Sequence, residues 1–340
     1  MFYSRDVERI GELYDKMVMK SSTSPELTQF AEDVLAGLGS TPKQLSSRYF
    51  YDDEGSRLFM EIMKLPEYYP TRAELNIFEE QKGSILGAFT KGAKAIDLIE
   101  LGAGDGAKTA VLIEHFLAEG VDLTYSPIDI SREANDVLED RFTRLFPGLR
   151  IKPHTGDYFS VLGNLRSESS RRKVLMFLGS NIGNFQQDKA LAFFRSLRSV
   201  MNSDDRLFIG FDMQKDPRVI IAAYDDPGGI TAAFNLNLLT RINRELGGDF
   251  DISKFSHYAQ YRPVECAARS FLISREKQTV TISALDRSFD FEQWEPIFME
   301  ISQKYTPAMI EEFAAESGFA IETEFFNEKD HYTNSLWRPS

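Results

Sequence analysis

The sequence is poor in cysteine and in histidine. Its 340 residues include one cysteine, Cys266, and four histidines. A single cysteine excludes an internal disulfide framework and favours a reducing, cytoplasmic location. No histidine stands near Cys266 or near another histidine at the spacing of metal ligands, so we predict no metal site.

The sequence also lacks long apolar runs and an excess of basic residues. No stretch is apolar over the length needed to cross a bilayer. The formal net charge is −13, whereas nucleic acids and anionic membranes are bound through basic patches. We therefore expect neither of these partners. The remaining composition, 42% hydrophobic and 27% charged, is that of a globular protein, for which we predict a small-molecule ligand.

Helical patterns dominate the first part of the chain. They predict helices over residues 25–39 and 55–65, followed by a longer helix that ends near residue 90. In this last helix Thr71 is the predicted N-cap, with Glu74 three residues later as its capping-box partner.

The pattern changes at Ala95 to alternating strands and helices, which is typical of a parallel, doubly wound sheet with helices on both faces. A long helical region within residues 214–250 interrupts this alternation. The stretch "RSFLISREKQTVTI" predicts a hairpin, and "FAIETEFFN" and "YTNSLWRP" are predicted to close the sheet. We predict a core of residues 77–213 and 305–340, and a second, mixed domain of residues 1–76 and 214–304.

A glycine-rich turn follows the first strand of this alternation, in "DLIELGAGDGAKT" (97–109). Glycines let the backbone turn sharply and approach a ligand closely. Their spacing is G-x-G-x-G, and Glu100 stands two positions before the first of them, Gly102. Gly102, Gly104 and Ala107 also satisfy the dinucleotide fingerprint G-x-G-x-x-G/A. The turn alone is therefore also consistent with a nicotinamide dehydrogenase.

Acidic residues at the ends of the next strands narrow the choice of ligand. Asp129 ends the second strand, where a carboxylate accepts hydrogen bonds from ribose hydroxyls. Asp157 and Tyr158 follow in the third unit, in position to contact an adenine amino group and its face. Together these features favour an adenosyl cofactor without a long pyrophosphate, S-adenosyl-L-methionine, and so a methyltransferase rather than a dehydrogenase.

Longer motifs carry a more specific resemblance, from about Gln44 onward. They are "YFYDDEGSRLF", "LPEYYPTRAE", "ELGAGDGAKT", "FLGSNIGNF", "AYDDPGGITAAFNLNLLTRINREL" and "MEISQKY". The sequence resembles the L-histidine Nα-methyltransferases of ergothioneine biosynthesis, which convert L-histidine to the trimethylated betaine hercynine. The resemblance implies an α/β fold, the class-I S-adenosylmethionine methyltransferase fold with its Rossmann-like doubly wound sheet. It also implies a second, mixed α+β domain that binds the substrate.

The same resemblance implies roles for individual residues. On the cofactor side it places Tyr51, Gly102, Lys108, Asp129, Asp157 and Tyr158. At the amino and carboxylate ends of the amino acid it places Tyr68, Asn184 and Tyr224. Close to the bound amino acid it places Phe59 and Gly179.

Two further residues are implied to bind the imidazole ring, Glu300 and Ser302. Their i, i+2 spacing puts both on one face of a strand. Tyr51 and Asn184 are the implied catalytic residues. A tyrosine with an ordinary pKa of about 10 is a poor base at neutral pH, so we interpret Tyr51 as an orienting acceptor, with bulk water taking the proton.

One motif departs from the family. The stretch "ARSFL" places Ser270 where the family has a methionine near the ring, and a shift of one position would place Arg269 or Phe271 there instead. This difference leaves open methylation of another amine, such as tryptophan. A non-catalytic binding module that keeps the fold and a nicotinamide oxidoreductase are the remaining alternatives. We expect a monomer.

Overall fold

The computed structural model of the protein describes residues 25–93, 95–129, 132–156, 158–165 and 171–340. The chain forms two compact units. The described residues of the first unit are 25–67, Ile220–Tyr261 and Ala268–Glu300, and the second unit comprises Tyr68–Val219, Arg262–Ala267 and Ile301–Ser340. None of the described helices is both long enough and apolar enough to span a membrane.

The helices and strands follow one another in a largely alternating order. The helices are α1 Pro25–Leu38, α2 Asp53–Lys64, α3 Tyr69–Thr90, α4 Ala107–Ala118, α5 Arg132–Leu145, α6 Tyr158–Leu165, α7 Gln187–Val200, α8 Pro217–Ala222, α9 Ile230–Leu246 and α10 Pro307–Glu316. The strands are β1 Lys43–Gln44, β2 Ala95–Leu101, β3 Asp122–Asp129, β4 Arg150–Ile151, β5 His154–Thr155, β6 Arg172–Phe177, β7 Arg206–Asp212, β8 Phe255–Arg262, β9 Ala267–Ser274, β10 Gln278–Ile282, β11 Arg287–Phe291, β12 Pro296–Gln303, β13 Phe319–Phe326 and β14 Tyr332–Pro339.

The sheet of the second unit has the order β13-β14-β7-β6-β2-β3-β4, and β5 also pairs with β3. The pairs from β4 to β7 are parallel, whereas β14 runs antiparallel to both of its neighbours. From β2 the chain continues to β3 on one side, and β6 lies on the other. This reversal is a topological switch point, and ligands of open α/β sheets bind at the carboxyl ends of the strands there.

Helices cover both faces of this sheet. One apolar cluster contains Phe78 of α3, Phe116 of α4 and Phe142 of α5. The other contains Phe194 of α7 and Phe313 of α10. Strands β6 and β7 are buried throughout, as strands covered on both faces must be. The predicted α/β fold class, a Rossmann-like doubly wound sheet, is confirmed, and β13 and β14 complete the sheet as predicted.

The first unit contains a sheet of order β1-β12-β9-β8 and a separate antiparallel pair, β10-β11. The predicted hairpin of β9 with β10 is therefore wrong. At the last residue of β9, the carbonyl of Ser274 accepts from the N–H of Trp294 at 2.7 Å, and the N–H of Ser274 donates to the carbonyl of Glu295 at 3.0 Å. Ser274 thus bonds to the segment before β12, and β10 pairs with the strand that follows it in the chain, β11.

The start of α3 also differs from the prediction. The helix begins at Tyr69 and its N-cap residue is Tyr68, with Pro70 in the first turn. Thr71 is therefore not the N-cap. Proline in the first turn needs no N–H partner and presets the helical φ, so the helix begins earlier than the Thr71 signal indicated. As a consequence, Glu74 is a helix-interior residue, and its side chain is fully buried.

Helices α2 and α9 of the first unit are joined through Asp52. Its carboxylate caps α2 by accepting from the N–H of Gly55 at 2.9 Å. It also accepts from Asn237 at 2.7 Å and from Arg244 at 2.6 Å, both on α9. A Cβ at Gly55 would lie 1.7 Å from the carbonyl oxygen of Phe50, so only glycine fits there. These contacts fix the backbone on either side of position 51.

Candidate functional site

The glycine turn after β2 uses backbone conformations that favour glycine. Gly102, Gly104 and Gly106 have φ of +71°, +57° and +66°, in the left-handed region. A Cβ on Gly106 would lie 2.6 Å from the ring of Phe142. The turn leads into α4, and the first N–H groups of a helix have no partner within the helix and attract negative charge. This part of the structure fits a nucleotide-like ligand.

Glu100 lies buried just before this turn. Its carboxylate accepts a hydrogen bond from the hydroxyl of Thr109 at 2.9 Å and from that of Tyr125 at 2.6 Å. Burial raises the pKa of Glu100 to about 7, and the two hydrogen bonds oppose this rise. Glu100 thereby ties the end of β2 to α4 and to β3, on either side of the turn.

Two predicted cofactor residues lie together at this turn. A Cβ on Gly102 would lie 3.1 Å from the hydroxyl of Tyr158, the first residue of α6. Asp129 is the last residue of β3, and its carbonyl accepts from the N–H of Gly156 at 3.0 Å. The predicted residue Asp157 lies outside the described residues.

Lys108 and Gly179, also predicted, are brought together by Glu74. The completely buried carboxylate of Glu74 accepts from the ammonium of Lys108 and, at 2.9 Å, from the N–H of Gly179. It also accepts from the hydroxyl of Tyr332 at 3.0 Å and from the side-chain amide of Asn334 at 2.9 Å. Sequence reasoning missed this role because it interpreted Glu74 as a capping residue.

Asn184 ends a short 3-10 turn, Asn181–Asn184, that follows β6. A Cβ on Gly183 would lie 3.0 Å from the carbonyl oxygen of Gln303, so the turn packs backbone against backbone. The hydroxyl of Tyr305 donates to the carbonyl of Ile182 at 3.1 Å. The turn is held on its buried side, and the side chain of Asn184 is exposed.

A buried group of charged side chains lies at the end of β7. Asp212 forms an ion pair with Lys304 at 2.8 Å and a second with Lys215, and it accepts from the hydroxyl of Tyr69 at 2.9 Å. Burial would raise the pKa of Asp212, but the two lysines outweigh burial and hold it below its ordinary value. Lys304 also donates to the hydroxyl oxygen of Ser302 at 2.7 Å. Of these residues, only Ser302 was predicted.

In the first unit, the predicted residues Tyr51 and Phe59 are in contact. Their ring centroids are 5.4 Å apart. Phe234 on α9 completes the aromatic group, 5.6 Å from Tyr51 and 5.8 Å from Phe59. Tyr51 is 45% exposed. Phe234 was not predicted as a site residue, although it lies within the quoted motif "AYDDPGGITAAFNLNLLTRINREL".

The remaining predicted residues occupy separate elements. Tyr68 is the N-cap residue of α3, and Tyr224, which follows α8, is 9% exposed. Glu300 lies on β12, two positions before Ser302. Ser270 is 2% exposed and belongs to the buried set of alternate residues on β9, whereas its neighbours Arg269 and Phe271 are partly exposed.

The described residues contain no group of three or more His, Cys, Asp or Glu side chains arranged to hold a metal ion. Their chemistry is that of binding and alignment. Left-handed glycines, a lysine paired with a carboxylate and a strand-end acid lie at the carboxyl ends of neighbouring strands. Such an arrangement suits a nucleotide-like ligand.

The chain is similar to known proteins over most of its length. The family model of the SAM-dependent, histidine-specific methyltransferases matches residues 30–339. The chain is 37% identical over 278 residues to the histidine N-alpha-methyltransferase of Mycobacterium tuberculosis, covering 82% of this chain and 85% of that relative. To the histidine N-alpha-methyltransferase of Mycolicibacterium smegmatis it is 36% identical over 286 residues, 84% of this chain and 87% of the relative. To the L-tryptophan methyltransferase trpM of Psilocybe serbica it is 28% identical over 326 residues, 88% of this chain and 90% of the relative.

Proposed function

The chain belongs to the family of SAM-dependent, histidine-specific methyltransferases, and from this premise we propose that it converts L-histidine to Nα,Nα,Nα-trimethylhistidine (hercynine). Three successive methyl transfers to one nitrogen complete the conversion. Hercynine is the trimethylated amino acid of ergothioneine biosynthesis, and the proposed cofactor is S-adenosyl-L-methionine.

Methyl transfer depends mainly on the alignment of the amine with the methyl group. The bound sulfonium supplies an activated methyl group. In each round a nitrogen–carbon bond would form as the sulfur–carbon bond breaks, S-adenosylhomocysteine would be left, and the substrate's ammonium group would lose one proton before the transfer. The protein holds the amine in line with the methyl group and limits water around it.

The observation that carries the proposal is the link from Lys108 through Glu74 to the N–H of Gly179. It joins the helix after the glycine turn to the loop after β6, at the two strand ends that flank the switch point. Gly102 with the hydroxyl of Tyr158 lies at the same edge of the sheet. We assign the cofactor to Tyr51, Gly102, Lys108, Asp129, Asp157 and Tyr158.

The substrate residues are assigned by their chemistry. Asn184 offers both a carbonyl oxygen and an amide N–H, suited to the α-amine and the carboxylate, and Tyr68 and Tyr224 share this end of the amino acid. Glu300 and Ser302 bind the ring, and Ser270 lies near it. Phe59 and Gly179 lie close to the bound amino acid. Tyr51 orients the amine, and water takes the proton. The division into a cofactor-binding core and a substrate-binding domain, the monomeric state and the cytoplasmic location stay predictions.

One observation favours a second candidate, the methylation of another amine such as tryptophan. Ser270, buried on β9, stands where the family has a methionine. A smaller side chain leaves more room for a larger ring.

Mass spectrometry of the reaction products tests the proposal. The purified protein is incubated with S-adenosylmethionine and either L-histidine or L-tryptophan. We expect histidine to acquire one, two and finally three methyl groups. Methylation of tryptophan without methylation of histidine would establish the second candidate instead, and no methylation of either amino acid would contradict both.

A further inference from the structure

Ser180, in the loop after β6, has a backbone conformation that residues with a Cβ seldom adopt. Its φ of +57° and ψ of +24° lie in the left-handed region. This conformation brings the Cβ close to a carbonyl oxygen, and it is costly for a residue such as serine. A residue in such a conformation persists only where its surroundings hold it, and residues of this kind are concentrated at functional sites. Ser180 is buried, so the protein itself supplies the contacts that hold it.

The hydroxyl of Ser180 has an unusual partner for its position. Ser180 is the N-cap residue of the 3-10 turn Asn181–Asn184, yet its side chain does not cap that turn, as serine commonly does at the start of a helix. Its oxygen accepts instead from the N–H of Asp212, at the end of β7, at 3.1 Å. The parallel pairing of β6 with β7 ends at Phe177 and Ile209. The hydroxyl thus supplies a partner for a buried N–H beyond the ladder, which would be costly to leave unpaired.

The loop that contains Ser180 is held at two points on its buried side. The N–H of Gly179 donates to the carboxylate of Glu74 on α3 at 2.9 Å. The hydroxyl of Ser180 holds the next residue against β7. The N–H of Gly183 donates to the carbonyl of Ser180 at 2.8 Å and closes the turn. Asn184, the last residue of this turn, has an exposed side chain, so its position follows from the course of the backbone before it.

We propose that Ser180 is a positioning residue, whose anchored hydroxyl keeps the loop on the left-handed course that presents the amide of Asn184 to the α-amine and carboxylate of the substrate. This inference rests on the proposed function, in which Asn184 and Gly179 contact the amino acid. Methyl transfer is sensitive to small errors of alignment, and the same nitrogen has to be aligned in every round. Ser180 acts on this alignment through the backbone, without touching the substrate.

Serine at position 180 combines a Cβ in a left-handed backbone with an anchor that holds it there. Alanine would retain the Cβ and its strain without the anchor, so Ser180→Ala should let the loop relax toward an ordinary backbone conformation. If the binding-competent conformation falls to about a tenth of the population, the Kd of L-histidine rises about tenfold. Ser180→Gly should show a smaller increase, because glycine adopts a positive φ without strain.

Ser317→Ala is the matched control. Ser317 is also buried, and its hydroxyl donates to the carbonyls of Phe313 and Ala314 on α10. Both alanine variants lose a buried hydroxyl with its hydrogen bonds, so both should lower the free energy of unfolding. Only Ser180→Ala should raise the Kd of L-histidine, which is measured by calorimetry on the full chain saturated with S-adenosylhomocysteine.

A double-mutant cycle with Asn184→Ala separates positioning from a general weakening of the site. Asn184→Ala should itself raise the Kd of L-histidine at least about tenfold. If Ser180 acts through Asn184, adding Ser180→Ala to Asn184→Ala should change Kd by less than about twofold, because the amide is already absent. Independent effects would multiply to an increase of about a hundredfold and would overturn the inference.

The remaining outcomes of the cycle are also decisive. An unchanged Kd in Ser180→Ala would overturn the inference and leave the proposed function standing. An unchanged Kd in Asn184→Ala would overturn it as well, since Ser180 would then have no amide to position. Ser180→Gly takes the place of Ser180→Ala in the cycle if the alanine variant does not fold. No binding of L-histidine to the wild-type protein would contradict the proposed function instead.

Discussion

Lys108 donates a hydrogen bond to Glu74, a carboxylate that is completely buried in the second unit. A buried carboxylate is costly unless it is paired and hydrogen-bonded, and Glu74 has donors on both oxygens. Lys108 itself keeps 23% of its side chain exposed. Lys108, which we propose to contact the cofactor, is thus held from within the core, and part of its side chain stays exposed.

Glu74→Gln tests this support. The amide keeps the size of the side chain but removes the charge that pairs with Lys108. Its NH2 group also faces hydrogen-bond donors where the carboxylate offered an acceptor. We expect S-adenosylhomocysteine to bind about tenfold more weakly, about 1.4 kcal/mol, as measured by calorimetry. Glu79→Gln, at an exposed position of the same helix, is the control. Equal affinities in the two variants would show that Glu74 does not support the cofactor side.

Gly210→Ala tests the packing around Glu74. A Cβ at Gly210 on β7 would lie 2.2 Å from the hydroxyl of Tyr332 and 2.4 Å from Glu74. We expect a loss of about 1–3 kcal/mol in the free energy of unfolding, as for an overpacked core, measured by denaturant unfolding. Gly87→Ala is the control, because nothing lies within 4 Å of its Cβ position and alanine stabilises a helix by about 0.5–1 kcal/mol relative to glycine. Equal stability of the two variants would refute the close packing.

Glu100→Gln should change how stability depends on pH. Burial raises the pKa of Glu100 to about 7 from an ordinary value of 4.5, so the folded protein favours the protonated form. The corresponding stability is fully present below pH 4.5 and is lost as pH rises to 7. The variant should therefore gain about 2 kcal/mol relative to the wild type between pH 5 and pH 7.5, measured by urea unfolding.

The control for this experiment is Glu114→Gln, at an exposed position on α4. It should leave the pH dependence of the free energy of unfolding as in the wild type. A Glu100→Gln profile parallel to that of the wild type would contradict the buried, protonated state.

Glu300→Ala should weaken the binding of the substrate and leave the binding of the cofactor unchanged. Loss of the carboxylate removes the acceptor proposed for the ring N–H, a hydrogen bond with a charged partner worth about 1.5–3 kcal/mol. We expect histidine to bind at least about tenfold more weakly, while S-adenosylhomocysteine binds as in the wild type. Glu292→Ala, at an exposed position before β12, is the control. A loss of cofactor affinity would show that the two sets of residues were divided wrongly.

The sequence predicted those parts of the structure that depend on local patterns. Alternating apolar stretches predicted β2, α4 and β3, and the glycine turn needed only its own residues to be recognised. Contacts between distant segments were beyond such reasoning. Glu74 is 260 positions from Asn334, and its spacing from Thr71 imitates a capping box.

The pairing of β9 and the contacts of Lys304 were missed for the same reason. Turn signals between β9 and β10 predict that the chain turns, but they do not decide which strand pairs with which. Lys304 has the appearance of an ordinary charged residue in "MEISQKY", and only its burial against Asp212 reveals its contact with Ser302.

The position of β14 has a consequence for the order of events during translation. Strand β14 lies between β13 and β7, and Tyr332 pairs with Asp212. The backbone groups of β7 that pair with β14 therefore stay unpaired until most of the first unit and the strand β13 have been synthesised. An unpaired strand edge is a template for another chain, and such distant pairings form slowly. A ribosome-bound chain that ends before Tyr332 therefore exposes an open edge at β7, where we expect chaperones to bind and nascent chains to aggregate.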